Sequence, residues 1–226
     1  GDVAWRGLAA KLRGTLLRPG DAGFDPAALP FNLRYASRLP AGIAVCRDAE
    51  DVATAVVWAR ENALPLVARG GGHSYAGYST TEGLLISTAG LAAVTFDAAA
   101  GQAVVGGGAR NGDIYAALAT AGHTLTHGRC PTVGAAGFLL GGGIGFNMRL
   151  LGVASDRLVS TDLVTASGEI VRASASENPD LFWACRGGGG GNLGINTSFR
   201  VETVPAALTS ASTLACLYFV SRRMSC

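Results

Sequence analysis

Arg69-Gly70-Gly71-Gly72-His73-Ser74 is the stretch on which the reading of this chain turns. It follows Leu64-Pro65-Leu66-Val67-Ala68, a short apolar run of the kind that forms a buried strand. Consecutive glycines straight after a strand suit a backbone that must bend sharply and approach another group closely, because glycine takes positive φ without a Cβ clash. Successive N–H groups in such a turn form a cradle for phosphate oxygens. Arg69 is expected to add a fixed cation for the same guest, and His73 to stand at the rim with a nucleophilic ring nitrogen. A glycine-rich surface turn with an incidental histidine has the same local sequence, so the stretch needs a second signal.

Working outward, Ile43-Ala44-Val45-Cys46 reads as a strand, and Asp48 as the cap of a helix with Val52, Ala55, Val56 and Ala59 on one face, ending near Asn62. Asp51 in its first turn complements the helix dipole. A strand–helix–strand unit of this length implies a parallel pair with a right-handed crossover. Upstream, Trp5, Leu8, Ala9 and Leu12 have the spacing of an amphipathic helix over 4–13, and the proline-bearing segment from Arg18 to Pro40 reads as a wrapping loop.

Downstream, Leu84-Leu85-Ile86-Ser87 is a further strand. Residues 93–96 and 102–105 flank a turn, as do 161–165 and 169–173, which predicts two hairpins. Residues 111–121 predict a helix capped by Asn111 with Ile114, Leu118 and Ala121 buried. Asn178 and Pro179 open another as cap and first residue. Gly194 to Val204 alternates as a strand, and Leu214 to Val220 resembles one that begins a new unit. Strands and helices mix in the first half and hairpins dominate the second, which predicts an α+β architecture of two packed lobes.

The second signal is Gly128-Arg129-Cys130-Pro131-Thr132-Val133-Gly134-Ala135-Ala136-Gly137-Phe138-Leu139-Leu140-Gly141-Gly142-Gly143-Ile144-Gly145. Each glycine costs a helix about 1 kcal/mol against alanine, so the stretch reads as too glycine-rich for an ordinary helix. A hinge or a close backbone crossing would account for it. A wall of backbone lying flat against a planar ring or a diphosphate also would, and a cysteine sits within it.

Composition bounds the function. The 226 residues are 49% apolar and 15% charged, enough to bury a core and too apolar for a disordered chain. A net charge of +2, with no basic cluster interleaved with aromatics, argues against nucleic acid and against an anionic membrane surface. No apolar run reaches transmembrane length. The start at Gly1 shows no signal core, so a soluble chain, cytoplasmic or exported after leader removal, is expected and the compartment is left open. Cys46, Cys130, Cys185, Cys216 and Cys226 have neither metal-ligand spacing nor the density of a disulfide scaffold. Most are expected to be small buried apolar residues, with Cys130 the exception.

Taken together, Arg69 to Ser74, Gly128 to Gly145, Asp180-Leu181-Phe182-Trp183-Ala184-Cys185-Arg186-Gly187-Gly188-Gly189 and Asn192-Leu193-Gly194-Ile195 resemble the FAD-binding domain (PCMH type) of the vanillyl-alcohol-oxidase superfamily, and within it the berberine-bridge-enzyme-like oxidoreductases. The resemblance covers residues 35 to 205. It implies a two-lobed FAD domain (lobes about 35–98 and 99–205), preceded by an N-terminal helix and wrapping loop (1–34). Residues 206–226 would start a truncated following region, leaving the domain incomplete at its C-terminus.

The same resemblance implies bicovalent FAD, with His73 on the flavin 8α-methyl and Cys130 on carbon 6. It places Arg69, Gly70, Gly71, Gly72 and Ser74 around the pyrophosphate. Val133, Gly134, Gly137, Gly141, Gly142, Gly143 and Gly145 would lie along the diphosphate and ring. Leu158 and Val159 would stand near the adenine, and Gly194 and Ile195 near the ring or ribose. The activity implied is an oxidase: hydride passes from a substrate C–H of an alcohol, sugar or alkaloid-like amine to the flavin and on to oxygen, giving hydrogen peroxide. A flavin dehydrogenase that excludes oxygen and a non-catalytic FAD-binding fragment are the alternatives. The catalytic base and the substrate lobe are expected beyond this stretch, so no base is assigned, and oligomeric state is left open.

Other candidates carry less. His123 and His127 lack an acidic companion and read as packing residues, not metal ligands. Asp156 reads as a turn carboxylate, and Tyr78 as a buried structural tyrosine in preference to a residue lining the site. Asn196-Thr197-Ser198 is a formal glycosylation sequon inside a predicted strand. Gly106-Gly107-Gly108 lacks the strand–turn–helix context of a dinucleotide fingerprint.

Overall fold

The computed structural model describes residues 2–206. In chain order the elements are α1 (Asp2–Lys11), β1 (Thr15–Leu17), α2 (Phe24–Ala28), β2 (Gly42–Val45), α3 (Ala49–Glu61), β3 (Leu66–Arg69), β4 (Leu84–Ser87), β5 (Val94–Asp97), β6 (Gln102–Gly106), α4 (Asn111–Thr120), β7 (His123–Thr124), α5 (Ala135–Leu140), α6 (Met148–Leu151), β8 (Leu158–Val164), β9 (Ile170–Ser174), α7 (Pro179–Ala184), β10 (Ile195–Glu202) and β11 (Val204–Pro205). The strand expected at Leu214–Val220 lies outside the described residues.

The first sheet has the order β1-β2-β4-β3, with β2, β4 and β3 parallel and β1 antiparallel at the edge. The crossover through α3 is present, but its two strands are not neighbours, because β4 lies between them. The reason is apolarity: Leu84, Leu85 and Ile86 are fully buried, so β4 takes the central place where both faces are covered. Asp48 caps α3 through its side chain, which accepts from the Asp51 amide. Asp51 does more than complement the dipole. It is buried, and its carboxylate accepts the Arg13, Gly14 and Arg47 amides, tying the N-terminal segment to α3. Leu8 on α1 and Leu12 just after it are buried, with Trp5 packed against the same core, whereas Ala9 is exposed.

The second sheet is antiparallel, in the order β5-β6-β10-β8-β9. Both expected hairpins form its edges, and β10 enters between them. One core lies under this sheet around Phe199, Leu163, Val105 and Leu118, and another unites α1 and α3 with the first sheet. Three local expectations are corrected. Ala121 follows α4 and is exposed, and α4 is capped by Arg110, whose amide is accepted by the Asp113 carboxylate, leaving Asn111 as its first residue. Asn178 and Pro179 do open α7 as cap and first residue; the cap sits at φ 50°, and its side chain donates to the Arg172 carbonyl without making a capping bond. Between Gly128 and Gly145 the chain does form a short helix, α5, which accommodates Gly137 because one side of it faces open space.

The sheets meet where no Cβ fits. A methyl on Gly108 would stand 1.8 Å from the carbonyl oxygen of Thr88, just past β4, while one on Gly107 would stand 2.3 Å from that of Asn196 on the neighbouring strand of its own sheet. The Gly106-Gly107-Gly108 run therefore serves close backbone packing, with Gly108 at the joint between the sheets. Thr88, just after β4, seals the joint by donating its hydroxyl to the Gly107 carbonyl at 3.0 Å.

Candidate cofactor site

The histidine loop leaves the carboxyl end of β3, the end of a parallel sheet at which ligands are bound. Its conformation is set by Arg69, but not as a phosphate cation. Arg69 is buried, and its guanidinium donates to the carbonyls of Ser79 at 2.8 Å, Ala27 at 2.6 Å and Ala28 at 3.0 Å. Burial lowers its pKa to about 10, so the side chain is still charged at neutral pH. The planar fork braces both ends of the loop against α2, a task that needs several donors in one fixed plane. The expected role of Arg69 at the phosphates is thus corrected.

Past Arg69 the two glycine stretches meet backbone to backbone. A methyl on Gly71 would lie 2.3 Å from the Gly134 nitrogen, and one on Gly134 2.2 Å from the Gly71 nitrogen. That contact brings the functional side chains together. His73 Nε2 is 3.0 Å from Thr132 Oγ1, in the cysteine loop 59 residues away. Phe31 stacks on the imidazole with ring centroids 3.6 Å apart and planes at 19°, held there by its amide on the Gly72 carbonyl. Burial, and then the positive charge of Arg110, lower the His73 pKa below the ordinary histidine value. The ring is neutral at neutral pH, the state in which a nitrogen lone pair is available.

The cysteine loop is held from the other side by the first turn of α4. Asn111 and Tyr115 donate their side chains to the Cys130 and Gly128 carbonyls respectively. His127 packs on the Tyr115 ring at 4.5 Å, while His123 packs on Phe96 and bonds Thr203. Cys46 and Cys185 are core residues, and burial raises the thiol of Cys46 to about 12 and also raises that of Cys185. Among the described cysteines, only Cys130 is not buried.

These loops line one cleft of about 1550 Å³, larger than the ~300–1,000 Å³ of an ordinary small-ligand site. Gly70, Gly71, Gly72, His73 and Ser74 line it together with Cys130, Val133, Gly134 and Gly137 of the adjoining loop. Gly141, Gly143, Gly194 and Ile195 extend the lining. Gly142, Gly145 and Val159 do not reach it. The Gly142 carbonyl accepts the Ser155 amide, Gly145 packs on the His127 backbone, and Val159 lies within β8. Leu158 belongs to the core. The end of β8 reaches the cleft instead, through Val164 and Thr165.

Tyr78 is also corrected: it is 81% exposed and lines the cleft beside Tyr75. The glycines at 189–191 form a further wall, two of them at positive φ, and their clustering in the sequence was the signal for it. Phe31 and Asn111 gave no signal, since nothing in their local sequence points to partners so far along the chain. Asn196 is buried and donates to Thr161 Oγ1, which leaves no room for a glycan.

A bare-backbone cleft of this size, with a neutral imidazole and a thiol on adjoining loops, fits an FAD. Gly137 supports the fit: its Cα faces open space within a helix, where a methyl would meet no atom within 4 Å and would only fill the cleft.

The comparisons agree. Residues 40–174 match the model of an FAD binding domain. The chain is 38% identical over 192 residues to (R)-6-hydroxynicotine oxidase of Paenarthrobacter nicotinovorans, covering 84% of this chain and 42% of that protein. A solved structure of Physcomitrella patens BBE-like 1 superposes with a TM-score of 0.84 at 37% identity, covering 88% of this chain and 44% of that one. Glucooligosaccharide oxidase from Acremonium strictum, described with a 6-S-cysteinyl, 8α-N1-histidyl FAD, superposes with a TM-score of 0.83 at 36% identity, covering 88% of this chain and 42% of that one. The chain thus spans less than half the length of these relatives. It belongs to the FAD-binding domain family, in the branch of the berberine-bridge-enzyme-like oxidoreductases.

Proposed function

We propose that this chain is the FAD-holding part of an oxidase that carries its flavin on two covalent bonds, from His73 and from Cys130. The observation that carries the reading is the contact between His73 Nε2 and Thr132 Oγ1, with Gly71 and Gly134 in backbone contact beneath it. It supports the reading because the histidine loop and the cysteine loop touch, and His73 and Cys130 both line the one cleft. Bound there, FAD supplies hydride acceptance from a substrate carbon and electron transfer to dioxygen.

The chain's own residues do the rest. The glycines of 70–72 and Gly134 present amides and bare Cα atoms to the diphosphate and ring. His73 offers an uncharged imidazole to the 8α-methyl. His73 would hold the group there by a C–N bond in place of a C–H bond, and Cys130 would hold carbon 6 through Sγ in place of its hydrogen; each attachment would release two electrons and two protons to dioxygen, giving hydrogen peroxide. Double attachment holds the ring in an open cleft from both edges.

Substrates are small molecules of the alcohol, sugar or amine class, as the names of the relatives suggest. The test is anaerobic reduction of the purified holoprotein by members of these classes, followed by reoxidation with dissolved oxygen. Bleaching followed by fast return of colour with peroxide formation is expected. Bleaching without oxygen-dependent return would make it a dehydrogenase, and no bleaching with any class would leave a binding protein.

A further inference from the structure

The cysteine loop is fixed at its carbonyls, by one helix turn. The Asn111 amide is accepted by the Val133 carbonyl at 2.9 Å, and the Gly112 amide by that of Pro131 at 2.9 Å. Asn111 Nδ2 donates to the Cys130 carbonyl at 3.3 Å, and the Tyr115 hydroxyl to the carbonyl of Gly128. Four carbonyls between residues 128 and 133 thus find donors on the first turns of α4. The loop lies so close that methyl groups on Gly112 and Gly128 would stand 3.2 Å from Pro131 and from the Asn111 amide nitrogen. Asn111 is 1% exposed. An asparagine at the first position of a helix has no need of such burial for helix formation, and its side chain is spent on the one carbonyl that belongs to the cysteine.

We infer that Asn111, supported by Tyr115, is the positioning residue for the Cys130 bond to the flavin, separate from whatever positions His73. This rests on the bicovalent reading above. Its physical basis is local. His73 is set by Phe31, Thr132 and the Gly71–Gly134 contact, whereas the Cys130 backbone is set by α4. Removing the Asn111 side-chain amide leaves the Cys130 carbonyl with only the Val133 amide, at 3.3 Å within the same loop, so the peptide loses its anchor to α4; a displacement of about 1 Å slows a bond-forming step by roughly 10–100-fold. Sγ replaces the hydrogen on ring carbon 6, and dioxygen takes the two electrons and two protons, so the attachment is followed as covalent flavin without reference to substrate turnover.

The experiment uses the full-length protein in two backgrounds. In His73→Ala, only Cys130 can hold flavin covalently; in Cys130→Ala, only His73 can. Apoprotein is mixed with FAD in air, and covalent flavin is followed by in-gel fluorescence and intact mass. Asn111→Ala is expected to slow attachment roughly 10–100-fold in the His73→Ala background and by less than about threefold in the Cys130→Ala background. Equal slowing in both, or in neither, overturns the inference. If Asn111→Ala yields no soluble protein, Tyr115→Phe decides. It keeps the ring and removes only the hydroxyl, and the same asymmetry is required of it. Absence of covalent flavin in His73→Ala itself is a different result, which overturns the two-bond reading and the inference with it.

Discussion

Replacing Gly71 with alanine tests how the site is assembled. The new Cβ would lie 2.3 Å from the Gly134 nitrogen, 2.7 Å from its Cα and 3.1 Å from the Thr132 carbonyl oxygen. All of these are backbone atoms, so no flexible side chain can yield. Ordinary contact begins near 3.4 Å, and the loops must part by about 1 Å. The 3.0 Å bond between His73 and Thr132 then opens to about 4 Å, beyond hydrogen-bond range. Overpacking of this kind costs about 1–3 kcal/mol, and the lost hydrogen bond about 1 kcal/mol more. At roughly 2–4 °C per kcal/mol for a unit of this size, the melting temperature should fall by the order of 5–15 °C. The histidyl bond should form at a small fraction of the wild-type rate, because the imidazole no longer meets its partner loop. The assay is a thermal melt of the apoprotein together with in-gel flavin fluorescence after reconstitution. A melting temperature within 2 °C of wild type, with normal covalent flavin, would refute the claim that the two glycine loops touch.

Other substitutions separate scaffold from cleft. Gly137→Ala should stabilise the apoprotein by up to about 1 kcal/mol, since it improves a helix, yet weaken FAD binding because the methyl enters the cleft; titration of the apoprotein with FAD reads both effects. Arg69→Met should cost roughly 3–5 kcal/mol by orphaning the carbonyls of Ala27, Ala28 and Ser79, and Arg69→Lys should not restore it, as read by chemical denaturation. Histidyl attachment, measured in Cys130→Ala, should be independent of pH above neutrality. It should slow only as pH falls below the ordinary histidine value of 6.5, since burial and Arg110 keep the folded ring uncharged to lower pH. The linkage has the same sign: the unfolded chain takes up the proton first, so His73 lowers stability as pH drops from 6.5 through its folded value.

Much of this was legible because it is written in local patterns. The continuous apolar run Leu84-Leu85-Ile86 marks a strand buried on both faces, Asp48 marks the start of α3, and the two hairpins announce themselves by their turns. The two glycine stretches pointed to the walls of the cleft, and His73 and Cys130 both line it. What was not legible depends on distance along the chain. Arg69 reads as a phosphate cation until its fork is seen to close on carbonyls 41 and 42 residues away. Phe31 is an ordinary apolar residue in a wrapping loop until it stacks on His73. The place of β4 between β2 and β3 follows from its apolar run, which the strand–helix–strand pattern taken alone does not register. Tyr78 shows the converse, since an aromatic near a glycine loop suggests packing and here lies open to the cleft.

The most direct test of the two-bond account is covalent flavin, measured by intact mass and denaturing-gel fluorescence on the full-length wild-type protein, His73→Ala, Cys130→Ala and the double variant. The account predicts one covalently held FAD per chain in the wild type and in each single variant, and none in the double variant. Flavin that leaves the wild type entirely under denaturing conditions, or that survives in the double variant, would contradict it.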